Sequence, residues 1–311
     1  MTPTRPIRIG TRNSPLARWQ AEWVAGRLTD HGTAVELVPI STRGDRQQVG
    51  PIAAIGGGEG VFTKELQRAL LASEIDLAVH SLKDLPTAQV DGLGLLAVPE
   101  RGPNGDVIVC REAKSFADLP QGATLGTGSL RRRAQLWHVR SDLKMVDIRG
   151  NVDTRLRKLR EGEYDALVLA QAGLARLGLS EHVTELLSKS VMLPAVGQGA
   201  LGIEGRVDDQ RVVDAVAVLD DPVTHASVDA ERAMLLAIRG GCLAPVGAWG
   251  RIDDKGHLTL SAVVLSGDGR IRLMAEASDQ PENARRLGEQ VAEKLIAQGA
   301  TELIQATRSG S

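Results

Sequence analysis

The sequence predicts an α/β protein made of two similar doubly wound lobes around a cleft, followed by a small α+β domain. Three observations carry this. Short apolar runs such as Ile75-Asp76-Leu77-Ala78-Val79 alternate with stretches of helical period. One strand–loop–helix pattern occurs twice, at Gly10-Thr11-Arg12-Asn13-Ser14-Pro15-Leu16 and at Gly126-Thr127-Gly128-Ser129-Leu130. From Asp220 onward the pattern changes to a helix, three alternating strands and a second helix.

Composition bounds the answer. A chain of 311 residues suits two or three domains. It is 42% hydrophobic but only 2% aromatic, so its core is aliphatic. A net charge of -2 gives no global reason to bind nucleic acid or membrane, so any anion affinity must come from local arginine clusters. The two cysteines, Cys110 and Cys242, form no CxxC pair, and no metal-ligand cluster is visible. Met1 to Arg8 carries no apolar signal core, and no apolar run reaches the ~18 residues of a membrane span. A cytoplasmic location is expected.

The first lobe is expected over 1–99 with 198–219. Arg5 to Gly10 is a strand. Ser14 then suits an N-cap and Pro15 the first position of a helix running to about Asp30, with Leu16, Trp19 and Trp23 at helical spacing on one face. Arg12 beside free N–H groups at that helix start is a ready anion site or a plain loop arginine. Val35 to Ile40 is a second strand, ending in Ser41-Thr42-Arg43-Gly44-Asp45. Arg46 to Gly60 is glycine-rich, too long for an ordinary loop, and reads as a lid without P-loop spacing. Phe62 to Ser73 is a helix. The strand of residues 75–79 leads to His80-Ser81-Leu82-Lys83-Asp84-Leu85-Pro86. Lys83 and Asp84 thus sit past a strand's carboxyl end, where open α/β sheets bind ligands. The pair is either a solvated turn or a place that holds an anion and a developing cation together.

The second lobe is expected over 100–197 and repeats the first. Val107 to Cys110 is a strand, with Cys110 a buried small hydrophobe. Leu143 to Ile148 and then Arg149-Gly150 parallels Val35 to Ile40 and its loop. Helix Val152–Glu161 parallels Phe62–Ser73, and strand Asp165–Ala170 parallels Asp76–His80. Arg131, Arg132 and Arg133 fall in the first turn of a helix, where cations oppose the helix dipole. That placement is better explained if anions occupy the cluster. Guanidinium groups bind carboxylates in a bidentate way, at roughly 1.5–3 kcal/mol per charge-assisted bond. Arg149, Arg155 and Arg176 extend the set, whereas Arg133, Arg157 and Arg160 read as solvated face.

Met192 to Leu201, with its glycines and proline, suits a hinge back to the first lobe. The third domain is expected over 220–311. Val223–Ile238 is a helix, Gly240-Gly241-Cys242 a flexible loop, and Val246–Ile252, Leu258–Leu265 and Ile271–Ala277 an antiparallel sheet covered by helix Pro281–Gln298. Framed by glycines, Cys242 is an accessible thiol: a nucleophile, an attachment point or an idle surface group.

Eight stretches together resemble the porphobilinogen deaminase (hydroxymethylbilane synthase) family: Gly10–Gln20, Ser41–Asp45, Phe62–Leu66, His80–Pro86, Gly126–Leu136, Arg149–Leu159, Leu193–Glu204 and Gly240–Pro245. They follow the family's order through all three domains. The resemblance implies a periplasmic-binding-protein-like pair of lobes. It implies a transferase that condenses four porphobilinogen molecules head to tail into hydroxymethylbilane, with release of ammonia, for tetrapyrrole synthesis. It also implies a dipyrromethane cofactor held by a thioether to Cys242. By the same resemblance Asp84 is the catalytic group. Arg12, Ser14, Gln20, Arg149, Arg155 and Arg176 surround the incoming substrate. Lys83, Thr127, Ser129, Arg131, Arg132, Gln198 and Gly199 surround the cofactor.

The residue chemistry agrees with those roles. Loss of ammonia leaves an electron-poor azafulvenium-like species, which one carboxylate can stabilise. Each pyrrole carries an acetate and a propionate, which explains the arginines. Gly128 departs from the family, which often has serine there, so one hydroxyl contact is expected to be absent. The partner implied is porphobilinogen alone, acting on a monomer without nucleic acid, membrane or metal. Two other readings of the residues are a non-catalytic two-lobed anion-binding protein and a Schiff-base enzyme using Lys83 with pyridoxal phosphate.

Overall fold

The computed structural model describes residues 5–40, 63–241 and 244–309. The expected lid, Arg46 to Gly60, together with Phe62 and Cys242, lies outside the described residues. The described chain divides into two compact units, 1–102 with 200–225, and 103–199 with 226–311.

In the first unit, β1 (Ile7–Thr11) pairs in parallel with β2 (Val35–Pro39) and β3 (Leu77–Ser81). The returning strand β10 (Leu201–Arg206) is antiparallel to β3 and to the edge strand β4 (Leu93–Ala97), giving the order β2-β1-β3-β10-β4. Strand alternation sends side chains to two faces. Ile7, Ile9, Leu77, Val79, Leu201 and Ile203 pack with α1 (Pro15–Asp30) and α6 (Gln210–Ala217). Ala78 packs on the other face with Leu66, Ala69 and Leu70 of α2 (Lys64–Leu71). Helices therefore cover both faces, as a doubly wound sheet requires.

Helix α1 begins where its cap predicts, with Ser14 Oγ accepting from Ala17 N at 3.3 Å. Its fully buried face neighbours the one that the spacing marks. Gln20, Ala21, Val24, Ala25 and Leu28 face the sheet, while Leu16, Trp19 and Trp23 are only partly buried. Two alanines let the helix lie close to the strands, and the larger rings are displaced to the rim.

The second unit repeats this frame. Its strands are β5 (Asp106–Cys110), β6 (Thr124–Gly126), β7 (Lys144–Val146), β8 (Ala166–Ala170) and β9 (Glu185–Leu186). The order is β7-β6-β8-β5-β9, with β6 parallel to β7 and β8, and β5 antiparallel to β8 and β9. Orientation for orientation, this matches the first sheet. Ile108, Leu125, Ala166 and Val168 pack with Leu136 of α3 (Leu130–Val139). Val107, Val109, Leu167 and Leu169 pack with α4 (Val152–Arg160) and α5 (Gln171–Arg176). The repeat extends to a carboxylate just before the third strand of each set. Asp76 accepts Arg8 N at 2.9 Å, and Asp165 accepts Thr124 N at 2.8 Å.

The C-terminal layer is a three-stranded antiparallel sheet, β11 (Val246–Ile252), β12 (Leu258–Leu265) and β13 (Arg272–Asp279). It shares one aliphatic core with α7 (Pro222–Ala237), α8 (Ala284–Ala297) and α9 (Ala300–Ser309). The single helix expected over 281–298 is a 3₁₀ turn followed by α8, and α9 continues after Gly299, whose φ of +97° breaks the helical path. Gly288 is required on α8, because a Cβ there would collide with the backbone oxygen of Ala230 on α7.

Candidate functional site

In the first unit the loops after β1 and β3 leave the sheet at the carboxyl ends of neighbouring parallel strands. After Ser81 the chain makes a 3₁₀ turn over Leu82–Asp84. Leu82 and Leu85 are buried, Leu82 N donates to Ala200 O at 3.0 Å, and Leu85 N donates to Leu82 O at 3.1 Å. The turn is thus pinned by its apolar residues, leaving Lys83 half-buried and Asp84 exposed. Among the described residues no hydrogen bond or ion pair occupies the Asp84 carboxylate. Arg12 is half-buried in the loop after β1. Gln20, buried in α1, donates its side-chain N–H to Ser81 Oγ at 2.8 Å. Arg12, Ser14, Gln20, Lys83 and Asp84 therefore share one edge of one sheet.

In the second unit the loop into α3 is held by its own hydroxyls. Thr127 is buried and its Oγ1 accepts Ser129 N at 3.2 Å, while Ser129 Oγ accepts Arg132 N at 3.4 Å. A Cβ on Gly128 would meet Ile148 O at 3.5 Å, an ordinary contact, so the site has room for a larger residue.

Arg131 and Arg132 turn inward and are 5% and 7% exposed. The anion they meet belongs to the chain itself. Arg131 donates to both carboxylate oxygens of Asp106, at 2.7 and 3.2 Å, and Arg132 Nε donates to one of them at 2.8 Å. Burial would raise the Asp106 pKa, but the two guanidiniums outweigh it and hold the carboxyl well below the usual carboxylate range. The same burial lowers the pKa of Arg132. With two cations and one anion, the cluster keeps one net positive charge. The dipole argument is thus answered in part by Asp106, which sequence reasoning missed. It starts an apolar strand, where an acid gives no periodic signal.

The hinge joins this cluster. Gln198, 1% exposed, donates to Asn104 O at 3.0 Å and Gly105 O at 3.1 Å, and its Oε1 accepts from Arg131 at 3.4 Å. Arg176, at the end of α5, donates to Gly199 O at 2.6 Å, and burial pushes its pKa down to about 10. The structure therefore brings Arg131, Arg132, Arg176, Gln198 and Gly199 together in one unit. Arg149 and Arg155 flank the start of α4, with Arg155 Nε donating to Gly150 O at 2.8 Å. Arg133 stays outside, paired with Asp147.

A second missed residue is Gln135, which accepts Leu193 N at 2.8 Å and donates to Leu193 O at 3.0 Å. It stands six places after capping Ser129, as Gln20 stands six after capping Ser14, so the repeat held the signal. Glu231 is a third, accepting Gly197 N and Gly250 N at 2.7 and 2.8 Å. A cavity of about 320 Å³ beside Cys110 and Arg111 contains none of the expected site residues, and burial raises the Cys110 thiol pKa. No group of three metal-ligating side chains occurs among the described residues.

The fold and these loops define a two-lobed α/β protein. Its strand-end groups are guanidiniums, hydroxyls and amides suited to carboxylates, with an exposed acid, Asp84, past β3. The matching family models are "Porphobilinogen deaminase, dipyromethane cofactor binding domain" over residues 7–214 and "Porphobilinogen deaminase, C-terminal domain" over residues 225–297. The porphobilinogen deaminase of Geobacter metallireducens is 49% identical over 96% of this chain and 94% of its own length. That of Desulforudis audaxviator is 48% identical over 99% of both. Among solved structures, a periplasmic substrate-binding protein of an ABC transporter from Coxiella burnetii gives a TM-score of 0.43 at 16% identity, covering 73% of this chain and 96% of that one. The chain belongs to the porphobilinogen deaminase family.

Proposed function

We infer that this chain is a porphobilinogen deaminase. It joins four porphobilinogen molecules head to tail into hydroxymethylbilane and releases ammonia. The observation that carries this is the match to both family domains over nearly the whole chain. It favours the enzyme over a non-catalytic anion-binding protein.

The donor set fits the dipyrromethane group that the first family domain is named for. Pyrrole acetates and propionates need multiple N–H and O–H donors, and the loop 127–132 with Gln198 supplies hydroxyl, amide and guanidinium groups around a residual positive charge. When bound, the group supplies the electron-rich pyrrole carbon from which the chain grows. We assign Cys242 as its thioether attachment, and Lys83, Thr127, Ser129, Arg131, Arg132, Gln198 and Gly199 as its carboxylate and backbone contacts. Arg12, Ser14, Gln20, Arg149, Arg155 and Arg176 receive the substrate carboxylates.

Asp84 is assigned the chemistry. Its exposed carboxylate is available to a pyrrole N–H, where it stabilises positive charge as ammonia leaves and accepts a proton afterwards. Lys83, one residue earlier in the same turn, neutralises a carboxylate beside it. No described helix is long and apolar enough to cross a membrane, and we place the enzyme in the cytoplasm as a monomer. We keep the functional divisions at 1–99 with 198–219, 100–197 and 220–311.

The experiment is turnover with porphobilinogen combined with intact mass. Active protein should carry an excess equal to two linked pyrroles, absent in Cys242→Ser. An unmodified mass in active protein would remove the covalent assignment, and absence of turnover in correctly folded, loaded protein would remove the enzyme.

A further inference from the structure

We propose that Glu204 is a positioning residue that, through His80, fixes the strand end carrying Lys83 and Asp84. This rests on the assignment of Asp84 to the chemistry.

Glu204 lies on β10 and His80 on β3, both on the sheet face covered by α2. In the antiparallel register His80 stands opposite Gly202, and Glu204 stands opposite Ala78. The two side chains therefore meet diagonally, over positions that have little or no side chain of their own. His80 Nε2 and Glu204 Oε2 are 3.0 Å apart, and both residues are almost completely buried. The second carboxylate oxygen, Oε1, accepts from Gln67 Nε2 of α2 at 2.9 Å. A carboxylate only accepts, so in this contact His80 Nε2 carries the hydrogen. One buried acid thus ties two neighbouring strands and the helix above them.

The location gives the pair its consequence. His80 is four residues before Asp84, and the intervening Ser81 and Leu82 are held by Gln20 and by Ala200 O. The end of β3 is therefore clamped on both faces of the sheet, by α1 through Gln20 and by α2 through the Glu204 relay. Asp84 itself has no partner among the described residues, and this backbone is what positions it there. A misplacement of about 1 Å at a reacting group can cost about a hundredfold in rate. An apolar residue at 204 would leave His80 and Gln67 without partners and release one face of the clamp. A glutamine would keep an acceptor oxygen for His80.

The test compares Glu204→Leu and Glu204→Gln in the loaded holoenzyme. Glu204→Leu should lower kcat about ten- to a hundredfold with KM within about twofold, and Glu204→Gln should restore kcat to within about threefold of the parent. Histidine-ring nitrogen NMR supplies a readout independent of turnover. The His80 Nε2–H signal should be present in the parent and in Glu204→Gln, and shifted or lost in Glu204→Leu. If Glu204→Leu does not fold, Gln67→Ala removes only the α2 branch, and a kcat fall of about threefold is expected. Unchanged kcat in a folded Glu204→Leu or in Gln67→Ala, with Asp84→Ala inactive, overturns the positioning role. Full turnover in Asp84→Ala instead overturns the assignment of Asp84 on which the proposal rests, so the two failures are separable.

Discussion

Replacing Asp106 with alanine isolates the buried charge cluster of the second unit. The wild-type carboxylate accepts three guanidinium bonds and its side chain is 0% exposed. Removing it strands two cations that are themselves almost fully buried. Breaking a buried ion pair by deleting one partner costs about 3–5 kcal/mol, and with two guanidiniums affected the upper end, about 5 kcal/mol, is expected. At about 2 °C per kcal/mol for a chain of this size, Tm should fall by about 10 °C. The exposed Arg157–Glu161 pair on α4 is the control. Its Arg157→Ala variant should lose only about 0.3–0.5 kcal/mol. Calorimetry and urea unfolding at neutral pH measure both.

The pH dependence has a definite sign. A carboxyl whose folded pKa is depressed contributes stability above its unfolded pKa and loses it as pH falls through the folded value. The gap between wild type and Asp106→Ala should therefore be constant from pH 8 to about 5 and shrink only below about 4. A loss under about 1 kcal/mol at pH 7, or a gap that widens in acid, would refute the reasoning.

Three further outcomes are expected. Asp84→Ala should lower turnover at least about a hundredfold while Tm stays within about 1 °C, since the side chain is exposed and bonded to nothing described; retained turnover would dismiss it from catalysis. Gly128→Ser should change stability by no more than about 0.5 kcal/mol, because its Cβ has room, and a loss above about 2 kcal/mol in urea unfolding would contradict the open geometry. Wild-type stability should fall chiefly below about pH 4, as Asp76, held at about 2 by Arg8 and Arg206 against the opposing effect of burial, takes up its proton; an unfolding free energy flat from pH 6 to 2 would count against that linkage.

Periodicity and caps made the frame legible. Ser14, Ser129 and the alternating strands placed both lobes, and β11 and β12 have the very ends that alternation marks. What escaped was local or long-range. The split between the 3₁₀ turn and α8 depends on backbone angles near Asn283, and α9 follows a glycine that reads as a terminus. The positions of Arg149 and Arg155, both partly buried, follow from the pattern, the first past a strand end and the second in the first turns of the next helix. The inward turn of Arg131 and Arg132 was not, because their partner Asp106 is about 25 residues away with no spacing to announce it.

The two lobes share one frame and differ where chemistry is placed. β3 and β8 occupy the same position in their sheets, each flanked by one parallel and one antiparallel neighbour. After β3 the chain makes a 3₁₀ turn that leaves an acid exposed at Asp84. After β8 it enters α5 directly and ends on Arg176, buried enough to lower its pKa. The supporting charges diverge in the same way. The first lobe stiffens its strand end with the Glu204–His80 pair, while the second surrounds its own with Asp106 and two arginines. A repeated scaffold can therefore end one strand on an exposed acid and its counterpart on a partly buried guanidinium by altering a few residues past that strand. The shared hydrophobic pattern cannot encode that difference, because it is the same in both lobes.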